Sequence, residues 1–102
     1  LDYVARPISG ENALAISKIE IHYFMNNCFI SKNYIMDNIK NISDIPAIII
    51  QGRHDVICPP FKASMLSSAW DASEIHIVED AGHSAFEANI SRQLINALHM
   101  IK

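Results

Sequence analysis

The sequence is poor in the features that define several large classes of protein. Its two cysteines, Cys28 and Cys58, are too few for a disulfide framework and match no zinc-ligand spacing, so reduced thiols are expected. Lys and Arg number 8 against 11 Asp and Glu, a formal net charge of −3, and no basic stripe or aromatic-interleaved basic patch occurs. A nucleic-acid partner is therefore not expected. The longest apolar runs fall far short of the roughly 20 residues that cross a bilayer, and no basic stretch leading into an apolar one opens the chain. A cytoplasmic protein with no membrane partner is the expectation. Repeats and low-complexity segments are absent, and so is an initiator methionine at Leu1, which fits a piece of a longer protein or a processed product.

What is present is concentrated between Ile45 and Glu87. Ile45-Pro46 introduces the apolar run Ala47-Ile48-Ile49-Ile50-Gln51, which halts at Gly52-Arg53-His54-Asp55. A β-branched run of that length between proline and glycine predicts a buried strand, with Asp55 on the loop at its exit. Glu74-Ile75-His76-Ile77-Val78-Glu79 predicts a second strand, running into Asp80-Ala81-Gly82-His83-Ser84-Ala85-Phe86-Glu87. Pro60 to Trp70 has helical length and composition, and two prolines at Pro59-Pro60 suit its start. Strand, helix, strand is an α/β crossover, whose parallel strands put Asp55 and His83 at the same edge of the sheet. Two such strands alone lack neighbours on their outer edges, so the chain reads as part of something larger.

The flanks are helical. Leu14, Ala15, Ile16, Ile19, Tyr23 and Phe24 recur at three- and four-residue intervals, predicting a helix over residues 11 to 26 that stops at Asn26-Asn27. Leu1 to Ser9 reads as an irregular lead-in. A short helix is expected near residues 34 to 41. A last one is expected over Ser91 to Ile101, with Leu94, Ile95, Leu98 and Ile101 facing the sheet. Glu20 lies four residues after Ile16 and four before Phe24, so it projects from the apolar stripe of the first helix. A carboxylate held there needs a cation or several donors, because desolvation alone would neutralise it. That requirement is met either by a structural partner or rim exposure, or by the ammonium of a substrate.

An aspartate and a histidine 28 residues apart, each after a strand, are the second and third members of a nucleophile, acid, base triad in one known chain order. Here the surrounding residues go beyond spacing. Gly52-Arg53-His54-Asp55-Val56-Ile57-Cys58-Pro59 and Asp80-Ala81-Gly82-His83-Ser84-Ala85-Phe86-Glu87 resemble the carboxyl-terminal part of the α/β-hydrolase family. Within it they are similar to the proline iminopeptidases, and Ile19-Glu20-Ile21-His22-Tyr23-Phe24 resembles that subfamily's cap-helix motif, I-E-N-H-Y-F.

The resemblance implies an α/β fold. Residues 1–43 would be the end of a helical cap region and its connection, and residues 44–102 the C-terminal part of the hydrolase core, with its last two parallel strands and flanking helices. It implies Asp55 as triad acid, His83 as triad base and Glu20 as receptor for the free amino group of a peptide with N-terminal proline. No metal and no organic cofactor is implied. Cys58 matches a cysteine near the family's site and is equally explained as a small apolar residue.

Ile21 and His54 depart from the family's asparagine and tyrosine. Asp80, three residues before His83, is expected to organise that turn, and Glu79 and Glu87 to be surface or helix-start charges. His22, His76 and His99 carry no site signal. No Gly-x-Ser-x-Gly nucleophile elbow occurs, and Ser84 has none around it. The expected protein thus carries the acid and base of a serine exopeptidase without its nucleophile. The alternatives are another α/β-hydrolase, such as an esterase, lipase or epoxide hydrolase, or a noncatalytic product that self-associates through open sheet edges.

Overall fold

The computed structural model describes residues 10–101, and the lead-in at Leu1 to Ser9 lies outside them. The described chain forms two compact units, residues 10–37 and residues 38–101.

In the second unit, Ala47–Gly52 forms β1 and Ser73–Val78 forms β2, paired in parallel with Ile50 opposite His76 and Gly52 opposite Val78. Pro60–Ala69 forms α3 between them and Ala88–Met100 forms α4 after them, following α1, Gly10–Met25, and α2, Tyr34–Asn38. Pro60 opens α3 at its first turn, where a missing N–H leaves no helical bond unmade. Both α3 and α4 pack on β1 and β2. The strand entries are tied together as well: Trp70 Nε1 donates to the Ile45 carbonyl at 2.8 Å and Ala72 N donates to the Ser43 carbonyl at 2.9 Å. The core cluster is small, Val78, Ala81 and Ile90 with Ile50 against them.

That small core departs from the expected face of α4. Ile90 and Ala97 are buried, whereas Ile95, Leu98 and Ile101 are 55–71% exposed. With no further strand beside β1 and β2 among the described residues, only a strip of α4 finds apolar cover.

In the first unit, α1 buries none of its residues, and Leu14, Ile19 and Phe24 are 58–69% exposed. The stop at Asn26-Asn27 is real: Asn26 Nδ2 donates to the His22 carbonyl at 2.8 Å, and Asn27, Cys28 and Phe29 all adopt left-handed backbone with φ of 50–58°. Asparagine tolerates that region, while Cys28 and Phe29 do so at a steric cost. Phe29 packs against His22 and Tyr23 at ring separations of 5.3 and 5.2 Å, which offsets part of it. No helix among the described residues is long and apolar enough to cross a membrane.

Candidate active site

The site is built where the two strand exits are stitched together. Arg53 N donates to the Val78 carbonyl and His54 N to the Ala81 carbonyl, each at 2.9 Å, extending the ladder beyond the strands. Gly52 permits this approach: a Cβ there would collide with the Gly82 carbonyl oxygen and lie 2.7 Å from that of Ala81. On the outside, the Arg53 guanidinium grips Glu79 through two bonds of 2.9 and 2.7 Å, so the surface charge expected at Glu79 is a paired one.

Asp55 is buried at 7% exposure. Its Oδ1 accepts the backbone N–H groups of Ile57 at 3.0 Å and Cys58 at 2.8 Å, which fixes the carboxylate plane. Gln51 Nε2 donates to the Cys58 carbonyl at 3.0 Å and holds the far side of the same loop. The remaining oxygen, Oδ2, lies 2.9 Å from His83 Nδ1. Burial pushes the Asp55 carboxyl upward, but the Cys58 N–H, the His83 hydrogen bond, the Ile57 N–H and the charge of a protonated His83 outweigh it. The group is held below the ordinary carboxylate range. Asp55 is therefore an anion at neutral pH, and an anionic acceptor at Nδ1 selects the neutral imidazole tautomer with its proton on Nδ1. In that neutral form Nε2 keeps a lone pair. Half of the His83 side chain is exposed, so that lone pair belongs to a ring open to incoming groups.

The histidine loop has its own brace, Glu87, expected from the sequence as a surface or helix-start charge. Glu87 is half-buried, and its carboxylate accepts Gly82 N at 3.0 and 3.2 Å and Ser84 N at 3.2 Å. It stands at the N-cap position of α4 yet makes no side-chain cap there, turning instead to the backbone on either side of His83. The only signal in the sequence was an acidic residue just before the helix, which has the same form as an ordinary helix-start charge. Asp80 is not the acid that meets His83: it accepts Asn89 Nδ2 at 2.7 Å and so ties the turn to α4. The Ser84 hydroxyl accepts Phe86 N at 3.2 Å, a turn-forming role. Cys58 is an exposed free thiol, and its sulfur, an Asp55 oxygen and a His83 ring nitrogen all lie within 4.8 Å of one another.

Glu20 belongs to the first unit, on α1, and is exposed. Of the outcomes left open for it, rim exposure is the one the structure shows: Ile16 and Phe24 beside it are 43% and 69% exposed and give it no apolar cover.

An acid and an imidazole meet at the carboxyl ends of adjacent parallel strands, with helices packed on those strands, an arrangement that fits the C-terminal part of an α/β-hydrolase fold. No family model matches the chain. Individual proteins do: it is 42% identical over 103 residues to a proline iminopeptidase of Arabidopsis thaliana, covering 100% of this chain and 27% of that protein. It is 44% identical to a probable proline iminopeptidase of Leptolyngbya boryana, over 85% of this chain and 27% of the relative. A proline iminopeptidase of Neisseria gonorrhoeae is 38% identical over 87% of this chain and 29% of its own length. The chain is thus a relative of the proline iminopeptidases, and it spans less than a third of the length of each of these three.

Proposed function

We propose that the chain supplies the acid and base of a Ser-His-Asp relay that releases N-terminal proline from peptides through an acyl-enzyme. The observation that carries this reading is the 2.9 Å contact between Asp55 Oδ2 and His83 Nδ1 at the strand exits. In this reading Asp55 holds the Nδ1 proton and steadies the imidazolium. His83 Nε2 takes the proton of a serine hydroxyl as it attacks the prolyl carbonyl, then returns it to the departing amine. The serine comes from sequence outside these 102 residues, since no Gly-x-Ser-x-Gly occurs within them. More of the same sheet would cover the outer edges of β1 and β2, which have no strand neighbour among the described residues.

Glu20 is proposed to receive the substrate's ammonium. An exposed carboxylate holds a cation weakly, typically by less than about 1 kcal/mol. The role therefore requires that further protein or the substrate itself exclude water from Glu20. A cytoplasmic location is proposed too, supported by two free, exposed thiols that suit a reducing compartment.

The test uses proline p-nitroanilide. The 102-residue chain alone should give no turnover above buffer. Joined to a nucleophile-bearing α/β-hydrolase half, it should turn over, and Asp55→Asn or His83→Ala should lower kcat by roughly 10³-fold or more. Glu20→Gln should raise KM with a smaller effect on kcat, and N-acetylated proline esters should be refused. Turnover by the isolated chain would contradict the relay, and proline kinetics untouched by Glu20→Gln would contradict the receptor.

A further inference from the structure

We propose that Asp55, Cys58 and His83 form a binding site for a thiophilic divalent cation of the Zn²⁺ type. The three side chains offer one oxygen, one sulfur and one nitrogen, mutually within 4.8 Å. Zinc bonds of about 2.0–2.3 Å in tetrahedral geometry set donors roughly 3.3–3.8 Å apart, so the site closes on a metal by a shift of about an ångström or slightly more.

The structure shows which atom has to move. Asp55 is fixed by its own loop, with Oδ1 committed to the Ile57 and Cys58 amides and Oδ2 facing the ring. The backbone of residue 58 is held at both ends, its N–H on Asp55 and its carbonyl on Gln51. The Cys58 thiol is exposed and free, so rotation about its Cα–Cβ bond can bring the sulfur nearer the carboxylate and the ring without breaking the bonds that hold its backbone. A mixed thiolate, imidazole and carboxylate set selects zinc-like metals over Mg²⁺ and Ca²⁺, which favour all-oxygen ligands. Half of the His83 side chain is exposed, leaving an entry path and a fourth position for water.

The metal takes the place of the hydrogen that Asp55 and His83 share. The neutral ring then carries its proton on Nε2 instead of Nδ1, and the thiol releases its proton to solvent. If the relay proposed above operates, a ring protonated at Nε2 cannot accept a proton from serine, so the same metal would switch it off. The metal site itself stands on the donor geometry and needs no hydrolysis to be tested.

The experiment titrates Co²⁺, a spectroscopic stand-in for Zn²⁺, into the 102-residue chain. One metal per chain is expected, with a thiolate-to-cobalt charge-transfer band that Zn²⁺ displaces and Mg²⁺ does not. Cys58→Ser should abolish the band, Asp55→Asn and His83→Gln should each weaken binding at least tenfold, and Cys28→Ser should change neither. A missing band, a band that survives Cys58→Ser or is lost with Cys28→Ser, or binding indifferent to His83→Gln would overturn the site. None of these readouts depends on a nucleophile, so their failure leaves the peptidase reading to its own test.

Discussion

The two units of the chain use similar side chains to opposite effect. Residues 38–101 bury few apolar groups, yet two loops are locked there by the parallel ladder, the Gly52 approach and the Glu87 brace. Residues 10–37 carry an apolar helix at least as long as any in the other unit and bury none of it. The difference teaches that apolar periodicity states what a helix could cover, while backbone and charge-assisted hydrogen bonds state what is already held. A site can be fixed locally by the second even where the first is unspent.

The largest contrast should come from matched truncations. Ile90→Ala removes a buried residue from the Val78, Ala81 and Ile90 cluster and should lower stability by about 2–5 kcal/mol, near the lower figure because the core is small. Ile19→Ala, on the exposed side chains of α1, should stay within about 0.5 kcal/mol. Urea unfolding of both variants measures this, and equal losses would erase the distinction between the units.

A smaller effect separates brace from surface charge. Glu87→Ala leaves the amides of Gly82 and Ser84 without their acceptor and should cost about 1–3 kcal/mol. It should also speed hydrogen exchange at those two amides. Exchange unchanged from the parent would return Glu87 to the surface or helix-start role the sequence suggests.

The strands were legible because β-branched runs bounded by Pro46 and Gly52 have few alternatives, and a parallel crossover then forces Asp55 and His83 to one edge. Helix ends fell within two or three residues of expectation, the usual uncertainty of fraying termini. The surroundings of Glu20 were not legible, since helical spacing identifies a face and not its cover. The Glu87 brace was hidden because its partners are backbone amides, which leave no residue-type pattern. The cluster of Asp55, Cys58 and His83 was hidden for a different reason: its third donor is brought in by the fold from the second strand's exit, and no linear zinc spacing encodes that.

The most direct measurement is nitrogen-edited NMR of the His83 ring at neutral pH. A proton on Nδ1 is predicted, shifted far downfield by its bond to Asp55, with the shift lost in Asp55→Ala. Because Asp55 is held below the ordinary carboxylate value of about 3.9, its carboxylate should remain the acceptor as pH falls to that value and fail only beneath it. A ring protonated at Nε2 alone, or an Nδ1 proton indifferent to Asp55→Ala, would contradict the acid–imidazole pair on which the account rests.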